Sequence, residues 1–194
     1  MKARNIYLTK VALAFTFSLL ITLLLMSPAL ASDSSAENNG QDEPYRIESF
    51  EMSGPGNLDV KTSGGHITVE GSSSNNVRVE MYVRKNGRNL LPEDTDLDDW
   101  DIEISQSGNT VEATAKRNKS NGFWGGNNMS ISFKVFAPRE MSSDLKTSGG
   151  HIKARGLSGN QEISTSGGHL ELTNLKGNIE ARTSGGHITL GDVQ

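Results

Sequence analysis

All four histidines of the 194-residue chain stand in one slot, directly after a Gly-Gly pair: His66, His151, His169 and His187. Imidazole suits zinc, copper and nickel, so a recurring histidine is first a candidate metal donor. His151, His169 and His187 follow one another at intervals of 18 residues. If those intervals stack as rungs, neighbouring imidazoles lie about 4.8 Å apart and must lean together to share an ion. No thiol or carboxylate recurs beside them to complete a tetrahedral set. The competing reading is a corner residue, open to solvent or stacked on its neighbour.

Other groupings invite the same test. Ser148 stands near His151, but a catalytic triad needs one serine, one oriented base and an oxyanion hole, not equivalent copies at the turns of a repeat. Asp94, Asp96 and Asp98 have the D-x-D-x-D spacing that opens a calcium loop. Asp99 then stands where such a loop wants Gly, and Ser105 where it wants Glu. The segment 93–103 reads either as a weak calcium site or as a solvated acidic loop. Phe123 and Trp124, in the Gly/Asn-rich run after Lys116, are binding candidates that stack on a sugar or touch a surface, unless they fold back on their own sheet. There is no Walker loop, dinucleotide fingerprint or zinc-hydrolase helix. The expectation is no catalytic residue, no resident metal and no cofactor.

Residues 1–31 carry an export signal rather than fold: Lys2, Arg4 and Lys10 form a basic start, Val11 to Met26 an apolar run, and Ala29-Leu30-Ala31 a cleavage site. The apolar run is short of the ~20 residues that a bilayer core asks for, so membrane contact is expected only if the segment stays uncleaved. Residues 32–44 are polar and acidic and read as a flexible linker. The exported part keeps 16 of the 19 basic residues against all 23 acidic ones, which argues against a nucleic-acid partner. With no cysteine, neither a disulfide framework nor a thiol-linked lipid anchor is available.

From Tyr45 onward, apolar residues fall at every second position, the period of a strand. Val77 to Val83, Trp100 to Ile104, Val111 to Ala115 and Met129 to Val135 are the clearest runs, separated by turn signals such as Asn86-Gly87. The string TSGGH begins at Thr62, Thr147, Thr165 and Thr183, and residues 151–168 align over 169–186 along the whole unit. Ile152, Leu170 and Ile188 occupy one register position, and Ala154, Leu172 and Leu190 another. An 18-residue unit with two short alternating segments cannot bury an apolar face alone, but stacked copies share one core.

The fold expected is all-β: a parallel, right-handed β-solenoid of 18-residue coils with an inserted or preceding antiparallel β segment, the alternative being a β-sandwich. Residues 45–194 form one β domain, with 45–70 as a first coil, 71–143 as a strand insertion and 144–194 as the regular repeats. The pairs Gly64-Gly65, Gly149-Gly150, Gly167-Gly168 and Gly185-Gly186 are expected to supply positive φ at the turns. The last coil stops after eight residues, which is read as a truncated stack.

The repeated T-S-G-G-x-I units, preceded by an alternating strand that ends in VFAPRE at 135–140, resemble the bacterial putative adhesin family, β-strand-repeat envelope proteins built on a domain of unknown function. The resemblance covers roughly residues 45–194. It implies export to the periplasm, cell surface or medium, a β-solenoid architecture and no catalytic residues. A protein, glycan or surface partner is expected, with a structural or envelope-stress signalling scaffold as the alternative role.

Overall fold

The computed structural model describes residues 43–118 and 128–194. The signal segment, nearly all of the linker, and Phe123 and Trp124 lie outside the described residues. Every regular element among those described is a strand. In chain order these are β1 Arg46–Glu51, β2 Gly56–Thr62, β3 Ile67–Ser72, β4 Asn76–Lys85, β5 Arg88–Leu90, β6 Trp100–Ser107 and β7 Thr110–Arg117, then β8 Met129–Pro138, β9 Met141–Thr147, β10 Ile152–Arg155, β11 Gln161–Thr165, β12 Leu170–Thr173, β13 Ile179–Thr183 and β14 Ile188–Gly191.

The strands form two mixed sheets. One runs β1-β4-β8-β3-β10-β12-β14, with β5 on β4, and the other runs β13-β11-β9-β2-β7-β6. Alternation explains why these segments are strands: Ile131, Phe133, Val135 and Ala137 of β8 are buried while the residues between them are half-exposed. The inward residues of both sheets merge into one core that includes Leu58, Val60, Phe133, Leu145, Ile152, Ile163 and Leu170. The architecture is thus all-β, and a β-sandwich-like arrangement is compatible with it.

Each 18-residue unit gives one strand to each sheet. Ile152 lies opposite Leu170, and Leu170 opposite Ile188, in parallel register. On the other sheet Leu145, Ile163 and Ala181 align in the same way. The first copy joins this series directly, because Ile67 is opposite Ile152 and Val60 opposite Leu145. The strands of 71–143 separate the copies in sequence but not in space. They extend the sheets on the far side, where β8 pairs with β3 and β7 with β2, both parallel. Beyond them β4 and β6 run antiparallel.

The corners correct the expectation about glycine. None of Gly64, Gly65, Gly149, Gly150, Gly167, Gly168, Gly185 or Gly186 has positive φ. The second glycine of each pair is required for room instead, since a Cβ on Gly150 would overlap the carbonyl of Gly65, one on Gly168 that of Gly150, and one on Gly186 that of Gly168. Positive φ belongs to the opposite corner, at Gly156 (73°) and Gly159 (139°), at Asn174 (52°) and Gly177 (106°), and again at Asp192 (52°).

Candidate functional site

Parallel in-register pairing puts equivalent corner residues one above another, so the four histidines form a single column. Their rings stack nearly parallel, with centroids 5.1 Å apart for His66 and His151, 4.8 Å for His151 and His169, and 5.1 Å for His169 and His187. The backbone N–H of each histidine donates to Nδ1 of the one before: His151 to His66 at 2.9 Å, His169 to His151 at 2.8 Å and His187 to His169 at 2.8 Å. A ring nitrogen that accepts carries no hydrogen, so His66, His151 and His169 are neutral with the hydrogen on Nε2.

That tautomer decides what the column can do. A metal bound at Nε2 would drive the ring hydrogen onto Nδ1, into the face of the next backbone N–H. Parallel rings also direct their in-plane lone pairs past one another rather than at a common point. The column is therefore built as a hydrogen-bonded spine. Burial, followed by the nearby His151 and Arg84, holds the His66 imidazole below its ordinary value, which agrees with a neutral ring.

Beside the spine runs a second one of threonines. The Thr147 hydroxyl donates to the Gly65 carbonyl at 2.8 Å and accepts from the Gly150 N–H at 3.3 Å. Thr165 repeats this with Gly150 and Gly168, and Thr183 with Gly168 and Gly186. Each hydroxyl links its own corner to the previous one. Ser148, on the same corner as His151, is exposed.

On the outer face of the second sheet the repeats align like charges. Glu112, Asp59, Asp144, Glu162 and Glu180 are successive cross-strand partners. Lysines of the next row offset the repulsion: Lys61 reaches Asp59 at 2.6 Å and Asp144 at 3.1 Å, and Lys146 reaches Asp144 and Glu162, both at 2.9 Å. Burial pulls the Lys61 ammonium down, but its bonds to Asp59 and Asp144 outweigh this and hold it above the usual lysine range. Bonds to Asp144 and Glu162 likewise raise Lys146. The D-x-K string at Asp59 and again at Asp144 was visible in the sequence, but its clamping role depends on the pairing of β2 with β9.

The structure does not bring Asp94, Asp96 and Asp98 together as cation ligands. Asp94 accepts the Leu91 N–H through Oδ2 at 2.8 Å and so closes a turn. Among the described residues no group of three or more histidine or acidic side chains is arranged to hold a metal ion.

No protein-family model and no curated protein matches the chain. Among solved structures it is similar to a putative cell adhesion protein from Clostridium sporogenes, at 9% identity and a TM-score of 0.49 over 77% of this chain and 98% of that one. It is similar also to a putative adhesin from Bacteroides fragilis, at 14% identity and a TM-score of 0.35 over 79% of this chain and 62% of that one. Both likenesses are too distant to carry a function across.

Proposed function

We propose that the chain is a non-catalytic, exported binding module of the cell envelope, built as a parallel β-solenoid with a strand elaboration and presenting a regular β face to a glycan, protein or surface partner. The observation that supports this reading is the use to which the repeat puts its reactive residues. In the described rungs, histidine Nδ1 atoms and threonine hydroxyls hold one corner to the next, and no serine, histidine and acid converge as a nucleophile, base and orienting group would. Such a scaffold holds charged rows rigidly at strand spacing, which suits extended ligands.

The test is a glycan and envelope-polymer array probed with the mature chain, alongside a panel of ester, amide and glycoside substrates. Saturable binding to a defined class without turnover is the expected result. Turnover abolished by replacing one serine or histidine would contradict the reading.

A further inference from the structure

On the outer face of the first sheet, β3, β8 and β4 form the floor of a cleft of about 430 Å³ lined by His66, Thr68, Tyr82, Arg84, Ser132, Phe133 and Lys134. A volume of this size accepts one or two sugar rings. None of its walls is acidic, although the chain as a whole carries a net charge of −4.

The ion pairs on this face single out two of those residues. Arg78 pairs with Glu80 at 2.8 Å, Lys153 with Glu171 at 2.6 Å, and Arg155 with Glu70 at 2.9 Å. Arg84 and Lys134 have no carboxylate within 4 Å among the described residues. Arg84 instead donates through Nε to the Asn89 side-chain oxygen at 2.7 Å, and the Lys134 ammonium lies over the Phe136 ring, 4.8 Å from its centroid. Glu80 is the cross-strand partner of Lys134, but its carboxylate is held by Arg78 and by the Tyr82 hydroxyl at 2.7 Å. The other walls supply hydroxyls from Thr68 and Ser132. The Ser132 oxygen accepts the His66 N–H at 3.0 Å, which leaves the Ser132 hydroxyl hydrogen able to donate elsewhere.

We infer that this cleft is a binding site for a carboxylate-bearing sugar, with Arg84 taking the carboxylate and with Lys134 and the hydroxyl-lined floor taking the ring. The inference deepens the binding-module reading and rests on it. A guanidinium with no partner acid among the described residues recognises an anion through charge-assisted bonds, and serine and threonine hydroxyls match the alternating donors and acceptors of a sugar. The cleft also lies at the head of the histidine spine. A carboxylate bound there would face the Arg84 charge that now helps to depress His66, so occupancy raises His66 toward its ordinary value.

The experiment is a titration of the mature chain, with its imidazoles labelled with ¹⁵N, by glucuronate, with glucose and acetate as separate controls. Saturable shifts confined to His66 and its near neighbour His151, with His187 unmoved, are expected for glucuronate. Glucose and acetate should each bind roughly ten-fold or more weaker, and the variant with Arg84→Gln and Lys134→Gln should lose a similar factor. Unchanged ring resonances of His169 and His187 in that variant certify its fold. No saturable shift up to about 50 mM glucuronate, equal response to acetate or glucose, or undiminished binding by the double variant would overturn the inference. If the array above finds a ligand whose binding leaves His66 unmoved and survives the double variant, the cleft assignment falls while the binding module stands.

Discussion

The second glycine of each TSGG corner is a residue-scale constraint with a sharp signature. Gly150 and Gly149 are chain neighbours, yet a Cβ on Gly150 would overlap the Gly65 carbonyl while one on Gly149 meets nothing within 4 Å. Gly150→Ala should therefore cost about 3 kcal/mol, at the upper end of overpacking effects, and Gly149→Ala less than about 0.5 kcal/mol. Urea denaturation of the two variants checks this, and equal costs would mean that the corners do not stack as described. The sequence made all eight glycines look alike, because composition reports conformational freedom and not the distance to a carbonyl that comes from another turn of the chain. His66 supplies a second prediction at this scale. Its folded value is lowered, so between that value and the unfolded value of about 6.5 the unfolded chain binds more protons and stability falls as pH falls. The urea midpoint should drop as pH goes from about 7.5 to about 5.5, and His66→Asn should flatten that part of the slope. A wild-type slope that the variant leaves intact would place the sensitivity elsewhere.

At the scale of elements, the strand runs were legible wherever apolar residues alternate. Val77, Val79, Met81 and Val83 are all buried in β4, and Met129 to Val135 became β8. Alternation is a local property, and it survives without knowledge of partners. What a strand pairs with is not local. Residues 71–143 intervene between the first copy and the others along the chain, yet β3 meets β10 directly. The cleft residues Arg84 and Lys134 likewise carry no sequence signal, because they belong to β4 and β8 and come to line one cleft only through the pairing of those strands. Rung position also sets the energetics of equivalent side chains. Leu172 is fully buried in β12, and its counterpart Leu190 in β14 is 59% exposed. Leu172→Ala should cost about 3 kcal/mol and Leu190→Ala less than about 1 kcal/mol in the monomer, read from chemical denaturation. Similar costs for both would contradict the order of the rungs.

The whole molecule is organised by copies of one corner that the chain brings together across very different separations. Three of the four were readable as neighbours from their 18-residue interval. The fourth, at His66, is 85 residues from His151 and was recognisable as a copy but not as the adjoining rung. Its place is settled by the parallel pairing of β2 with β9 and β3 with β10. This contiguity makes the histidine and threonine spines continuous and sets the cleft over β3, β8 and β4 beside their head. The direct measurement is the ¹⁵N–¹⁵N scalar coupling across each N–H···N hydrogen bond. Couplings from the backbone nitrogens of His151, His169 and His187 to Nδ1 of His66, His151 and His169, respectively, are the predicted result. Rings that carry hydrogen on Nδ1, with no coupling between His66 and His151, would contradict it.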